Sequence, residues 1–184
     1  MLSIKPLDES NRAYLNQADT RFLAGDRVLL RVARRGFAPE YVPLPNAEWR
    51  TLQTTRVLDA DTLLADAKAA CYLAFVDDQY AGQCAVRLAA HRLVELLDVR
   101  VDTRFRRQRV GTELLKYCAF WTQEHHRAGI RAEASDESPV ACQFFEHCGY
   151  ELGGVDKLWH NADPWQAERV PAMRETVLTF YKFF

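Results

Sequence analysis

The sequence has no long apolar segment and no excess of charge of either sign. Even the apolar segment Cys71 to Val76 ends at Asp77, far short of the roughly 18 uninterrupted apolar residues of a membrane-spanning helix. The formal net charge is −1, from 24 Lys and Arg against 25 Asp and Glu. No global field therefore favours nucleic acid or an anionic membrane as a partner. Any anion-binding site must come from a local cluster.

The cysteines give no sign of a disulfide framework or a zinc site. There are five of them, an odd number, and none is spaced as C-x2-C. The first residues include Asp8 and Glu9, where a signal peptide would have an apolar stretch. We therefore expect reduced thiols in the core, no metal and a cytoplasmic location.

What the sequence does contain is the material for one globular domain and a mixed arrangement of helices and strands. Its 184 residues are 48% hydrophobic and 27% charged, enough to bury one core, so we expect a single domain over residues 1–184. Hydrophobic periodicity and turn residues predict these elements in order: strand Leu2–Pro6, helix Asp8–Gln17, an irregular stretch to Pro45 with a strand-like Val28–Val32, helix Asp59–Ala69, strands Cys71–Val76, Gln79–Leu88 and Leu93–Val101, helix Gly111–His125, strand Ile130–Ala134, a helix capped by Ser138 and ending at Cys148, and strands Val155–Trp159 and Thr176–Phe184. This order predicts a mixed α/β fold with a largely antiparallel sheet and one parallel crossover.

A strand, a cationic loop and a helix follow one another between Asp98 and Leu115. Backbone N–H groups in such a loop lack partners, and together with the positive end of the helix they can bind a phosphate or pyrophosphate. Four arginines add positive charge, namely Arg104, Arg106, Arg107 and Arg109. A solvated basic loop or an RNA-contacting patch would have the same spacing, so the pattern alone leaves these alternatives open.

Two motifs identify the chain as resembling the GNAT superfamily of N-acetyltransferases. Residues 106–111, Arg-Arg-Gln-Arg-Val-Gly, resemble the family's acetyl-CoA pyrophosphate loop, Arg/Gln-x-x-Gly-x-Gly/Ala. About 30 residues later, residues 141–150 resemble its second signature, a small residue followed by an aromatic pair and Gly-aromatic. Residues 153–158 and 175–183 look like the streptothricin acetyltransferase branch. The resemblance covers roughly residues 70–184.

The resemblance implies the fold, the reaction and the ligands. The implied fold is a GNAT-like, mixed, mostly antiparallel central sheet flanked by helices, with residues 70–184 as the acetyl-CoA-binding core and 1–69 as a variable acceptor-side part. The implied reaction is acetyl transfer from acetyl-CoA, the cosubstrate, to a primary amine, more readily of a small molecule such as an antibiotic than of a protein lysine. A homodimer is left open. The implied cofactor contacts are Val99, Val101, Arg106, Arg107, Gln108, Arg109, Val110, Gly111, Thr112, Ser138 and Phe145.

Two residues depart from the family pattern. Arg109 stands where the pattern has its first glycine, and its Cβ resists positive φ, so we expect either an ordinary conformation or a strained one there. Phe145 stands where many members have a tyrosine that protonates the CoA thiolate. Water, another tyrosine such as Tyr150 or Tyr181, or the acceptor amine itself would have to supply that proton. A catalytically degenerate CoA-binding or protein-interaction module is therefore the alternative function.

Populating the neutral form of an alkylamine at pH 7 costs roughly 4 to 5 kcal/mol, and a carboxylate near the acyl group can lower that cost directly or through water. The alternative is that the carboxylates of the strand Leu93–Val101 are ordinary surface or sheet-edge groups. By resemblance Asp98 is the favoured base and Glu95 the second candidate, and strand alternation predicts that the two lie on opposite faces. A backbone N–H near Val99 or Val101 would stabilise the oxyanion.

Other reactive side chains fit ordinary structural roles better. Cys142 has no obvious base before it, which disfavours nucleophilic catalysis. His147 and the pair His125-His126 come at helix ends, where histidines are commonly solvated.

Overall fold

The structure is a computed structural model that describes residues 1–34, 36–51, 57–157 and 176–184. Within these residues the chain forms nine strands and three α-helices. In chain order they are β1 (Leu2–Pro6), β2 (Phe22–Ala33), β3 (Gly36–Arg50), α1 (Ala60–Ala65), β4 (Ala69–Val76), β5 (Gln79–Leu88), β6 (Leu93–Val101), α2 (Val110–Glu124), β7 (Gly129–Ser135), α3 (Pro139–His147), β8 (Glu151–Asp156) and β9 (Val177–Phe183). Short 3-10 turns occupy Arg12–Tyr14 and Thr103–Phe105. Five of the six strand pairings whose register is resolved are antiparallel, which confirms the predicted mixed, mostly antiparallel fold.

The described residues form two compact units. The first takes its residues from 1–21, 53–131 and 183–184, and the second from 22–52 and 132–182. This division does not follow the predicted boundary at residue 70, and the single domain stays a prediction. Among the described residues there is no helix with the length and apolar character to cross a membrane.

The first unit is built on antiparallel strands. β1, β4, β5, β6 and the start of β7 lie side by side in that order, and β7 pairs in parallel with Leu93–Glu95 of β6. The turn between β4 and β5 is Asp77-Asp78, with φ angles of 47° and 62°. Positive φ at both positions is the geometry of tight hairpin turns whose twist matches that of the strands. The predicted hairpin is therefore confirmed.

α2 packs against β4, β5 and β6 on one face of this sheet. Its buried side chains follow helical spacing, as the sequence predicts: Val110, Gly111, Leu114, Leu115, Cys118, Trp121 and Thr122. Leu15 and Ala18 of the N-terminal segment pack in a separate hydrophobic cluster with Leu73 and Ala85. The β6–α2 connection thus begins at a buried strand and ends at a buried first helical turn.

The second unit combines the β2–β3 ribbon with α3, β8, β9 and the end of β7. β2 pairs antiparallel with β3, and β8 with β9. Ser138 caps α3 by accepting a hydrogen bond from the N–H of Ala141, and Pro139 is the first helical residue. The chain leaves this helix at Gly149, which has a φ of 80°. The predicted capping and termination of this helix are confirmed.

The predicted helix over Asp8–Gln17 is wrong. The side chain of Asp8 accepts hydrogen bonds from the N–H groups of Ser10 and Asn11, and the Asn11 amide donates to the carbonyl of Pro6. Such side chain to backbone bonds compete with helical hydrogen bonds. Only a 3-10 turn forms in this segment.

The stretch up to Pro45, predicted to be largely irregular, is the long β2–β3 ribbon, and the predicted strand Val28–Val32 lies inside β2. β3 contains Pro39, Pro43 and Pro45. In a two-stranded ribbon each strand has an unpaired edge, where a residue without an N–H is tolerated.

Other boundaries are adjusted. The predicted helix Asp59–Ala69 is shorter, because Asp59 caps α1 and the helix ends at Ala65. The predicted strand Val155–Trp159 begins earlier, as β8, and Trp159 lies outside the described residues. The last predicted strand is confirmed as β9.

Candidate functional site

The loop between β6 and α2 presents a row of backbone N–H groups. Arg107 and Arg109 have φ angles of 62° and 64°, whereas Gln108 between them does not have positive φ. Alternation of left-handed with other residues turns successive N–H groups toward one side and forms an anion-binding concavity. In the part of the chain that the structure describes, no N–H of residues 106–112 donates a hydrogen bond. The first N–H to do so belongs to Glu113, which donates to the carbonyl of Arg109.

The first turn of α2 completes this row. Val110 is buried and fixes the helix start in the core, Gly111 is also buried, and Thr112 is half-buried. Gly111 has no Cβ, so a ligand can approach its backbone closely. The positive end of a 15-residue helix adds to the attraction for an anion.

The side chains of Arg107 and Arg109 are exposed. Neither has a hydrogen bond or an ion pair among the described residues. These two guanidinium groups are therefore free to meet further phosphates.

Arg104 and Arg106 are already engaged by the protein. Arg104 forms an ion pair with Asp102, with Nε 2.9 Å from Oδ1. Arg106 donates from Nε to the carbonyl of Val101 at 3.1 Å and from Nη1 to the carbonyl of Arg21 at 2.6 Å. Their positive charges stay close to the loop, but their hydrogen-bonding groups point to protein atoms.

Arg109 adopts the left-handed backbone conformation, which is the strained one of the two alternatives stated above. As the residue before α2 it has φ 64° and ψ 5°. A left-handed residue with a Cβ costs about 1 kcal/mol relative to glycine. The loop therefore keeps the backbone shape that a glycine would give, at the expense of local strain.

The prediction that Asp98 and Glu95 lie on opposite faces of β6 is wrong, because a β-bulge interrupts the alternation. Asp98 lies opposite Ala85 of β5, and Glu95 lies opposite Arg87. Ala85 and Arg87 are two residues apart on a regular stretch of β5 and so share a face. The register shift at the bulge lets three residues of β6 span two residues of β5. Both carboxylates consequently lie on the same face of the sheet.

The carboxylate of Asp98 is held by several hydrogen-bond donors. Arg100 donates from Nε to Oδ2 at 2.8 Å and from Nη2 to Oδ1 at 2.9 Å, and the Gln83 amide donates to Oδ2 at 2.7 Å. The side chains of Asp98 and Arg100 are only 11% and 7% exposed. Gln83 is fully buried, and its carbonyl oxygen accepts hydrogen bonds from the Tyr80 hydroxyl and from the N–H of Asn16.

Glu95 is held much more loosely. Its side chain is 37% exposed, and among the described residues it forms a long ion pair with Arg131, with Nη1 3.9 Å from Oε1. Val99 and Val101 lie opposite Cys84 and Gly82, on the other face of the sheet. β6 pairs with β7 at residues 93–95, before Val99 and Val101 are reached. At Val99 and Val101 the strand pairing in the described residues is with β5.

Sequence reasoning missed Gln83 and Arg100. A signal for Gln83 was present, because it is the one amide in the apolar run from Ala81 to Val86. A polar side chain in a buried strand needs buried partners. Arg100 shares a face with Asp98 by simple alternation, two residues along β6.

Ser138 and Phe145 lie in the second unit. Ser138 is 4% exposed and its hydroxyl caps α3, while the Phe145 ring is 3% exposed and packs 5.4 Å from the ring of Tyr150 and 5.6 Å from that of Phe180. Their contact with acetyl-CoA stays a prediction.

Cys142, on the same helix, is fully buried. Burial, together with the carboxylates of Glu146 and Asp136, raises the pKa of Cys142 to about 12. A thiol in this state is a poor nucleophile at neutral pH.

The chain belongs to the acetyltransferase (GNAT) family, whose model matches residues 34–150. Among curated proteins, a streptothricin acetyltransferase of Escherichia coli is 26% identical over 119 residues, 65% of this chain and 65% of that protein. Streptothricin acetyltransferase A of Bacillus subtilis is 25% identical over 126 residues, 68% of this chain and 69% of that protein. The matches thus span about two thirds of these relatives' lengths. The predicted family membership and the resemblance to the streptothricin branch are confirmed.

Solved structures confirm the fold. A candidate streptothricin acetyltransferase of Bacillus anthracis, in complex with acetyl coenzyme A, superposes with a TM-score of 0.85 over all of both chains at 21% identity. A nourseothricin acetyltransferase superposes with a TM-score of 0.78 at 15% identity, over 99% of this chain and 98% of that one.

Proposed function

We propose that the chain is an acetyl-CoA-dependent N-acetyltransferase that acts on a primary amine of a small molecule. The observation that carries this proposal is the row of N–H groups from residue 106 to 112, none of which has an acceptor within the described residues. A pyrophosphate supplies oxygen acceptors for such a row, and the exposed Arg107 and Arg109 add charge beside it. The names of the curated relatives make streptothricin the first acceptor to test.

A carboxylate and a backbone N–H of β6 support the chemistry. A carboxylate that takes the ammonium proton produces the neutral amine, which attacks the thioester carbonyl. A backbone N–H of Val99 or Val101 would then stabilise the oxyanion, a role that needs no particular side chain. Collapse of the tetrahedral intermediate breaks the C–S bond and releases the CoA thiolate. Because Phe145 has no hydroxyl, that thiolate takes its proton from water, from a tyrosine such as Tyr150 or Tyr181, or from the acceptor nitrogen, which loses its second proton as the amide forms.

Of the two candidate carboxylates, the contacts favour Glu95 as the proton acceptor. Hydrogen bonds to a carboxylate stabilise its ionised form and occupy its lone pairs, and Asp98 accepts three of them from Arg100 and Gln83. Within the described residues Glu95 has an ion pair with Arg131 at 3.9 Å, and its side chain is partly exposed. We therefore propose that Glu95 takes the proton, with Asp98 as a fixed anion on the same face.

The pH dependence of two variants separates these roles. Glu95→Gln should lower kcat/KM about a hundredfold at pH 7, and the loss should shrink as the pH rises toward about 10, where the amine deprotonates unaided. Asp98→Asn disturbs the Gln83–Arg100 network, so its loss should not shrink with pH. Initial rates from pH 6 to 10 measure both. The opposite pattern, with rescue only of Asp98→Asn, would return the base to Asp98.

Acetyl transfer itself tests the proposed function. Purified protein with acetyl-CoA should release thiol when streptothricin is added, and mass spectrometry should show an acceptor heavier by one acetyl group. A panel of primary amines then defines the acceptor class. If the protein binds CoA but acetylates none of these amines, the alternative of a catalytically degenerate CoA-binding module takes its place.

The proposal includes a cytoplasmic location, since within the described residues all five cysteines are free thiols, as is usual in reducing compartments. A homodimer is proposed as the assembly to test. Light scattering distinguishes it from a monomer of 21.2 kDa.

A further inference from the structure

Two segments of the first unit, residues 19–21 and 101–106, are joined by hydrogen bonds immediately before the row of N–H groups. We call this pair of segments the clamp. The N–H of Asp19 donates to Oδ2 of Asp102 at 3.1 Å, and the N–H of Thr103 donates to the carbonyl of Asp19 at 3.2 Å. The Thr103 hydroxyl also donates to Oδ2 of Asp19 at 3.3 Å. The N-terminal segment is thereby tied to the start of the loop.

Arg106 is the central side chain of the clamp. Besides its bonds to the carbonyls of Val101 and Arg21, it donates from Nη2 to the carbonyl of Asp19 at 3.5 Å. All three of its nitrogen atoms therefore bind backbone carbonyls, and these come from the end of β6 and from residues 19–21. The planar guanidinium presents its donors in a fixed fork, so these contacts set the position of residue 106.

The buried acceptors on the other side of the clamp also have defined partners. Asp102 is 3% exposed, and its carboxylate accepts from the N–H and side chain of Arg104 as well as from Asp19. Although burial raises it, these hydrogen bonds hold the pKa of Asp102 below its usual value. The carboxylate thus stays ionised at neutral pH, and the clamp stays closed.

We propose that Arg106 is a positioning residue for the CoA loop: it acts through the clamp to set the N–H groups of residues 106–112, and its side chain is not a phosphate ligand. Arg107, which is exposed and has no partner among the described residues, contributes charge to the bound phosphates. The inference rests on the proposed binding of CoA at this loop. It also gives residues 19–21 a role in cofactor binding, which the sequence assigns to residues 70–184 alone.

Salt dependence separates a positioning role from a charge role. Removing a phosphate-contacting cation weakens binding mainly at low salt, because salt screens that attraction. Removing a positioning contact weakens binding equally at all salt concentrations. Calorimetric titration of CoA into wild type, Arg106→Gln and the matched control Arg107→Gln, from 50 to 500 mM NaCl, makes the comparison. We expect Kd to rise about tenfold for Arg106→Gln with an unchanged salt slope, and the slope to become shallower for Arg107→Gln.

Hydrogen exchange of the CoA-free protein gives a second readout that does not need ligand. Amides of residues 102–113 should exchange faster in Arg106→Gln than in wild type, and not faster in Arg107→Gln. Thr103→Val removes the hydroxyl hydrogen bond of the clamp and keeps the shape of the side chain. It should raise both the amide exchange rates and the Kd for CoA, and it replaces Arg106→Gln if that variant fails to fold. Two results would overturn the proposal, and in both the amide exchange rates of Arg106→Gln equal those of wild type. In the first its Kd for CoA is also unchanged, and in the second the salt dependence of its Kd becomes as shallow as that of Arg107→Gln. If wild type binds no CoA, the proposed function fails, while the exchange data still decide whether the clamp exists.

Discussion

At the scale of single residues, Arg109 holds a backbone conformation that glycine adopts without strain. Its φ of 64° places it in the left-handed region immediately before α2. An exposed arginine there adds positive charge beside the row of N–H groups. Charge and strain at this position act in opposite directions, because the first favours a polyanion and the second destabilises the empty loop.

Arg109→Gly separates the two effects. Removing the Cβ should raise the free energy of unfolding by up to about 1 kcal/mol, less the entropy that glycine adds to the unfolded chain. Arg109→Ala, which keeps the Cβ, should give no such gain. Denaturant unfolding of the three proteins measures the difference. A glycine variant no more stable than the alanine variant would contradict a strain larger than the entropy that glycine adds to the unfolded chain.

CoA binding by the glycine variant tests the charge. Arg109→Gly should bind CoA more weakly than wild type at low salt and equally well at high salt, because only the electrostatic attraction is lost. Tighter binding at every salt concentration would contradict a phosphate-contacting role for Arg109.

At the scale of elements, the parts that sequence predicts well are those in which local signals agree with packing. α2 has helical spacing of apolar residues and a buried face, and α3 has both a Ser138 cap and a following Gly149. The β4–β5 hairpin is marked by a two-residue Asp-Asp turn between apolar runs. In each case the local signal agrees with the burial of the apolar residues beside it.

The elements that sequence predicts poorly depend on contacts that no local pattern contains. The Asp8 side chain diverts backbone N–H groups from helical bonds, and the ribbon of β2 and β3 tolerates prolines because each strand has an open edge. The β6 bulge has the largest consequence for the site. Strand alternation alone separates Glu95 from Asp98, whereas the register with β5 brings them to one face.

The candidate site shows the same limit. Motif resemblance finds the loop from residue 106 to 112, since its spacing and composition are local. It cannot find Gln83, whose partners Asn16 and Asp98 lie 67 and 15 residues away along the chain. Nor can it show that the Arg106 side chain binds protein carbonyls.

At the scale of the whole molecule, the family, the fold and the loop point to one chemistry. The chain belongs to the acetyltransferase (GNAT) family, and its fold superposes on a structure solved with acetyl coenzyme A with a TM-score of 0.85. The N-terminal segment is joined by hydrogen bonds to the start of the proposed CoA loop through the clamp and to Gln83 through Asn16, all within the first unit. We propose that binding of acetyl-CoA depends on the backbone N–H groups of residues 106–112.

Amide NMR during titration with acetyl-CoA tests this proposal. A pyrophosphate bound at the loop would give the N–H groups of residues 106–112 an acceptor or a charged neighbour, so these amides should show the largest shifts and should saturate together at one equivalent. Amides of the β2–β3 ribbon provide the internal reference. We expect large, saturable shifts for the seven loop amides. Saturable binding of acetyl-CoA that leaves those seven amides unshifted would contradict the proposal.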